Sequence, residues 1–162
     1  MLINFGVNRT LPVETIDLLK KTLLFKGCTA EDFDLLSGLI SERQVKPNTT
    51  IFSEKMPAEA LYIVKSGKIK ISVMEGEGDE IGLLELGPGD FFGEIALIQE
   101  SSRAVTARAE SAVELVMLTR KDFLALLDLD PRVAAKITLA IARLLAMRVK
   151  AYSAKLRELL LS

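Results

Sequence analysis

The sequence predicts an α+β fold that is mainly β: a jelly-roll type roll of short strands, flanked by N-terminal helices and one long C-terminal helix. Three observations predict it. Apolar residues recur at helical spacing up to Ile40 and again after Thr119, bracketing a central region of a different period. Within that region, short strand-like segments follow one another, separated by Gly and Pro signals, as in rolls and barrels. Beyond Pro131 no Gly or Pro interrupts the chain as far as Leu161, so one helix of roughly 30 residues is expected.

In order along the chain, Pro12 to Lys21 forms a first helix whose apolar residues are Val13, Ile16 and Leu19, with Leu23 beyond it. Thr29 followed by Asp32 reads as a capping box opening a second helix that buries Phe33, Leu36, Leu39 and Ile40. Strands are expected at Thr50–Phe52, Leu61–Val64, Lys68–Val73, Ile81–Leu86, Val105–Ala109 and Val113–Leu118. Ile69, Ile71 and Val73 alternate with Lys68, Lys70 and Ser72, which gives that strand one wet face. The acidic tract from Glu75 to Glu80 is a solvated hairpin loop, with a calcium site as the alternative, although its spacing matches no EF-hand. Thr119 with Asp122 starts another helix, and Asp130-Pro131 starts the last, with an N-cap followed by proline at the first helical position. Ile137, Ile141, Leu145, Val149, Tyr152, Leu156 and Leu160 line one stripe of it. A helix about 45 Å long outreaches one small roll, so part of that stripe is expected to pair with the same helix of a second chain. Arg143, Arg148, Lys150, Lys155 and Arg157 form its solvated face, or hold a partner.

Composition narrows the function classes. The 162 residues suffice for one domain with a core. There is no histidine, which excludes a Ser-His-Asp triad, histidine acid–base catalysis and the histidine-rich metal site of cupins. The net charge of −1 gives no reason to expect a nucleic-acid surface. No run of about 18 apolar residues exists to span a membrane, and Met1 to Gly6 lack the regions of a signal peptide. Cys28 is alone, so a reducing, cytoplasmic setting is expected.

The most informative stretch is residues 92–109, FGEIALIQESSRAVTARA. Gly93 admits a close backbone approach. Ile95 to Gln99 can form a short helix whose first N–H groups face an anion. Arg103 supplies a planar guanidinium fork for phosphate oxygens. Glu94 repels phosphate, and is better suited to accept from a sugar hydroxyl. The bland alternative is that Glu94 and Arg103 pair with each other on the surface.

This segment, with Leu86-Gly-Pro-Gly-Asp-Phe-Phe92 before it, resembles the phosphate-binding cassette of the cyclic nucleotide-binding domain family, and the likeness covers the chain from about Leu23 to Leu156. The resemblance implies a ribose 2′-hydroxyl on Glu94 and a cyclic phosphate on Arg103. Gly93, Ile95, and the backbone N–H groups of Ala96 and Ala104 would complete the cradle. It implies a base resting on Ile71 and Leu83, closed over by Leu144, Leu145, Arg148 or Tyr152, though an aliphatic stripe equally suits a core. Ala104, where cGMP-preferring members often carry threonine, leans toward cAMP and leaves cGMP open. The division implied is an N-terminal helical segment (1–22), the nucleotide-binding domain (23–130) and a lid or dimerisation helix (131–162). Two loops depart from the family pattern, at Asn48 and at Lys55-Met56-Pro57, and both are expected to lie away from the cassette. Only 32 residues follow Asp130, too few for a helix-turn-helix, and neither a channel pore nor an inhibitory kinase segment is evident. The expected function is therefore a cyclic-nucleotide sensor with no cofactor beyond its ligand. It would have no direct contact with nucleic acid or membrane, and would signal as a homodimer or through a separate effector. A same-fold structural or interaction domain that no longer binds nucleotide is the alternative. An enzyme has least support, because no nucleophile–base pair is evident.

Overall fold

The computed structural model describes residues 10–76 and 78–161; the readings made for Met1 to Gly6 and for Glu77 lie outside them. Helix α1 (Val13–Lys21) leads through a 3-10 turn, Leu23–Phe25, into α2 (Ala30–Ser37). The strands are β1 (Ile40–Val45), β2 (Thr50–Phe52), β3 (Ala60–Ser66), β4 (Ile69–Glu75), β5 (Asp79–Leu86) and β6 (Phe91–Phe92). A single turn, α3 (Ile95–Ile98), precedes β7 (Thr106–Ala109) and β8 (Val113–Thr119), and the chain ends in α4 (Arg120–Leu129) and α5 (Pro131–Leu161).

The strands form two four-stranded antiparallel sheets, ordered β1-β8-β3-β6 and β2-β7-β4-β5. Two apolar clusters hold them. Between the sheets lie Phe52, Tyr62, Val64, Ile69, Ile71, Phe92 and Leu115. On the outer face of the first sheet, Leu61, Ile63, Val116 and Leu118 pack against Leu19, Phe25, Phe33, Phe123, Leu126, Ile137 and Ile141 from the helices. The first sheet is thus covered on both faces, which is why Leu61 to Val64 reads as an unbroken apolar run.

The helix starts follow their sequence signals. Thr29 Oγ1 accepts from the Asp32 N–H at 3.3 Å, and the Asp32 carboxylate accepts from the Thr29 N–H at 2.8 Å. Thr119 accepts from the Asp122 N–H at 3.0 Å, and Asp130 Oδ1 from the N–H groups of Arg132 and Val133. Asp32 also ties α2 to α5, through Arg132 at 2.9 Å and Lys136 at 2.6 Å. Its burial opposes ionisation, yet the Lys136 ammonium, the Thr29 N–H and the Arg132 guanidinium hold its carboxyl well below the usual carboxylate range.

Three expectations need correction. Ile40 opens β1 rather than closing α2, because the helix stops at Ser37 and Gly38; the strand's exposed middle, Glu42 to Gln44, hides its period. Val13 and Leu23 are exposed, and Leu24 and Phe25 enter the core instead, since the extended backbone at Thr22 breaks the helical period. The hairpin at 75–80 is tighter than expected: Glu75 pairs with Asp79, and Glu80 lies within β5, accepting from the Ser72 hydroxyl. Among the described residues no helix is long and apolar enough to cross a membrane.

Candidate functional site

A cavity of about 400 Å3 opens between the second sheet, the α3 turn and α5, within the size range of small-ligand sites. Its lining includes Gly93, Glu94, Ile95, Ala96, Arg103, Ala104, Ile71 and Leu83, so residues far apart in sequence meet at one place. Leu83 is set there by a register shift opposite Ile71 and Ser72, which puts an extra residue into β5.

Arg103 is 6% exposed. Its Nη2 donates to Ala60 O at 2.8 Å, and its guanidinium carbon lies 4.0 Å from the centre of the Phe52 ring. Among the described residues no carboxylate pairs with it, and its buried Nε has no hydrogen-bond partner. Burial pushes the guanidinium below its ordinary value, while Tyr62, Glu59 and Glu94 pull it back; an arginine stays cationic at neutral pH all the same. A buried cation without a counter-charge is costly, and the charge and donor geometry of this corner of the cavity suit an anion.

Glu94 is 4% exposed and takes a different partner, accepting through Oε1 from Arg148 of α5. The surface pairing of Glu94 with Arg103 is thereby ruled out. Oε2 is left to accept from a hydroxyl. Gly93 has φ +78°, and a Cβ placed on it would lie 2.5 Å from Arg103 Nη1 and 2.9 Å from Ala60 O. This glycine makes room for the guanidinium first of all.

The structure departs from the sequence reading at four points. The Ala96 N–H, expected to be open to an anion, donates to Gly93 O at 3.1 Å, because a turn of four residues closes on its own carbonyls. Of the lid candidates, Arg148 and Tyr152 line the cavity. Leu145 packs on the helix side of the first sheet, and Leu144 lines neither. The loop at Lys55-Met56-Pro57 does not lie away from the cassette: the Lys55 N–H donates to Arg103 O at 2.8 Å and the Arg103 N–H to Met56 O at 2.7 Å. The Asn48 N–H likewise donates to Ala109 O at 2.7 Å. Asn48 and Lys55 both adopt positive φ, 62° and 69°, where the asparagine is the better suited residue. Sequence reasoning also passed over Phe52, Leu84 and Phe91 in the lining, whose only signal is being apolar.

Two sheets rolled around a cavity, with a short helix, a buried carboxylate and an unpaired arginine at its rim, have the architecture of a small-ligand-binding roll. The chain belongs to the cyclic nucleotide-binding domain family: the family profile matches residues 42–130, more than half of it. The Cyclic AMP receptor protein of Thermus thermophilus is 36% identical over 125 residues, 77% of this chain and 58% of that protein. The N-terminal domain of a transcriptional regulator from Streptomyces coelicolor aligns with a TM-score of 0.75 at 31% identity, covering 84% of this chain and 95% of that one. The regulatory domain of Toxoplasma gondii PKA, solved with cAMP, gives a TM-score of 0.64 at 32% identity, covering 69% of this chain and 42% of that one. Among curated relatives the chain spans 58% of the Thermus protein and 46% of the Escherichia coli transcriptional regulator CRP.

Proposed function

We propose that this chain is a cyclic-nucleotide sensor module whose ligand is cAMP. One observation carries the reading: a buried arginine with no counter-ion shares a cavity with a buried carboxylate. The cyclic phosphate takes the free edge of Arg103 and supplies the missing charge. The ribose 2′-hydroxyl donates to Glu94 Oε2. The base lies against Ile71 and Leu83, with Arg148 and Tyr152 over it. Ala104, offering no side-chain hydroxyl to a guanine, favours cAMP over cGMP. Family membership and the cAMP held by the Toxoplasma relative support the ligand class.

Output runs through α5. Its first turns are fixed by Val133, Ala134, Ile137 and Ile141, all buried, and by the ion pairs to Asp32. Past Leu145 the helix is exposed, with Tyr152 at 70% and Leu156 at 57%. Among the described residues, Arg148 and Tyr152 alone bring this distal half to the pocket lining, so occupancy of the pocket sets its position. With Leu145 on the core and Tyr152 at the pocket, Val149, Leu156 and Leu159 recur at intervals of seven and three, the seam of a short coiled coil. The paired helices present the signal to a separate effector.

The alternative, a structural domain of the same fold without a ligand, rests on Glu94 being already neutralised by Arg148. The unsatisfied Arg103 weighs against it. Thermal unfolding with cAMP, cGMP and ATP separates the two. At 100 times the dissociation constant, a ligand adds about 2.7 kcal/mol, or roughly 5–10 °C for a chain of this size. The reading expects that shift with cAMP, a smaller one with cGMP and none with ATP. No shift at millimolar cAMP favours the structural domain.

A further inference from the structure

We propose that Phe52 is a positioning residue for the anion site, its ring serving as the floor on which the Arg103 guanidinium lies; this rests on the sensor reading above. A guanidinium donates hydrogen bonds only in its own plane. A carboxylate holding it would consume those donors and cancel the charge. An aromatic face attracts the cation from above the plane and leaves every donor free. Phe52 does this: the guanidinium carbon is 4.0 Å from its ring centre, while the Tyr62 ring is farther, at 5.7 Å.

The floor is itself rigid. Phe52 is 8% exposed, and its ring centre lies 5.9 Å from that of Tyr62 and 5.8 Å from that of Phe92. Those two rings stack on each other at 5.3 Å. A register shift between Thr50 and Phe52 in the pairing with β7 re-aims the side chain at the end of its strand. The residues just after Phe52 clamp the arginine's main chain from both sides, Lys55 N to Arg103 O and Arg103 N to Met56 O. Ala60 O fixes one edge of the guanidinium. One stretch, Phe52 to Ala60, therefore holds the cation by face, by edge and by backbone. No carboxylate takes part among the described residues, and Nε stays unpartnered.

The test uses the full chain with Phe52→Leu and Phe52→Tyr, each with and without Arg103→Lys. In the ligand-free protein, the Arg103 Nε–H resonance, assigned by its loss in Arg103→Lys, is expected at a ring-shifted position that Phe52→Leu abolishes and Phe52→Tyr keeps. Phe52→Leu is expected to weaken cAMP about 10-fold, leave adenosine, which lacks the phosphate, unchanged in a chemical-shift titration, and have little effect once Arg103 is lysine. Phe52→Tyr restores cAMP binding. Equal weakening of cAMP and adenosine marks Phe52 as a mere packing residue and overturns the proposal, as does an unmoved Nε signal in Phe52→Leu. Should the unaltered chain bind no cyclic nucleotide, the sensor reading falls, while the Nε signal still decides whether Phe52 fixes the arginine.

Discussion

Adding a single methyl group at Gly93 tests the anion seat from the protein side. Alanine at φ +78° costs roughly 1–2 kcal/mol from backbone strain alone. The new Cβ would also sit 2.5 Å from Arg103 Nη1 and 2.9 Å from Ala60 O. The carbonyl belongs to the paired strand β3 and cannot retreat, so the guanidinium must leave. That forfeits its bond to Ala60 O, a charge-assisted contact of about 1.5–3 kcal/mol. Gly93→Ala is therefore expected to lower unfolding free energy by about 2.5–5 kcal/mol. Affinity for cAMP is expected to fall at least about 10-fold, because a displaced fork no longer meets the phosphate in plane. Urea unfolding gives the first quantity and calorimetric titration the second. A loss of stability under about 1 kcal/mol with affinity intact refutes the packing of Gly93 on Arg103.

The remaining expectations concern α5 and its anchors. Arg148→Gln leaves Glu94 buried without its cation but is half-exposed itself, so about 1 kcal/mol is lost. Hydrogen exchange should then quicken several-fold across residues 146–156 and stay unchanged across 133–141; a uniform change would contradict the anchored-root picture. Asp32→Asn is expected to cost about 1–3 kcal/mol at pH 7, from the cap and the two ion pairs. Because the folded carboxyl lies below its unfolded value, that contribution is complete above the ordinary carboxylate range and fades as pH falls below about 4. The gap between wild type and Asp32→Asn in denaturant titrations should close accordingly, and a gap that widens in acid would reverse the sign. Val149→Glu with Leu156→Glu is expected to turn a dimer into a monomer by light scattering; a monomeric parent, or an unchanged dimer, removes the coiled-coil seam.

Local signals were legible where a few neighbouring residues settle the outcome. Thr29 with Asp32, Thr119 with Asp122, and Asp130 before Pro131 each cap the helix expected of them, since capping is a contact across three residues. The alternation at Ile69 and Ile71 was readable for the same reason, but it fails one residue on: Ser72, expected on the wet face, is buried and Val73 is only half-buried, because the register shift between Ile71 and Ser72 breaks the period. β1 was not, because its exposed centre carries no apolar period and only its pairing with β8 makes it a strand. At the site, Gly93, Glu94 and Arg103 stood out by spacing, and they do meet at one cavity. What surrounds them was invisible. Phe52 reads as any core residue until the fold lays it under a guanidinium, and Lys55 gives no hint that its N–H holds Arg103 from 48 positions away. Leu145 and Arg148 share one helix, yet only the roll's position decides which of them faces the cavity.

The central claim is that Arg103 waits, charged and unpaired, for a cyclic phosphate. Calorimetric titration of cAMP into the wild-type chain and into Arg103→Ala measures it directly. Saturable one-to-one binding that weakens by about 2–4 kcal/mol in the variant is the expected result. Equal affinity in both chains would contradict the account, and so would no heat in either.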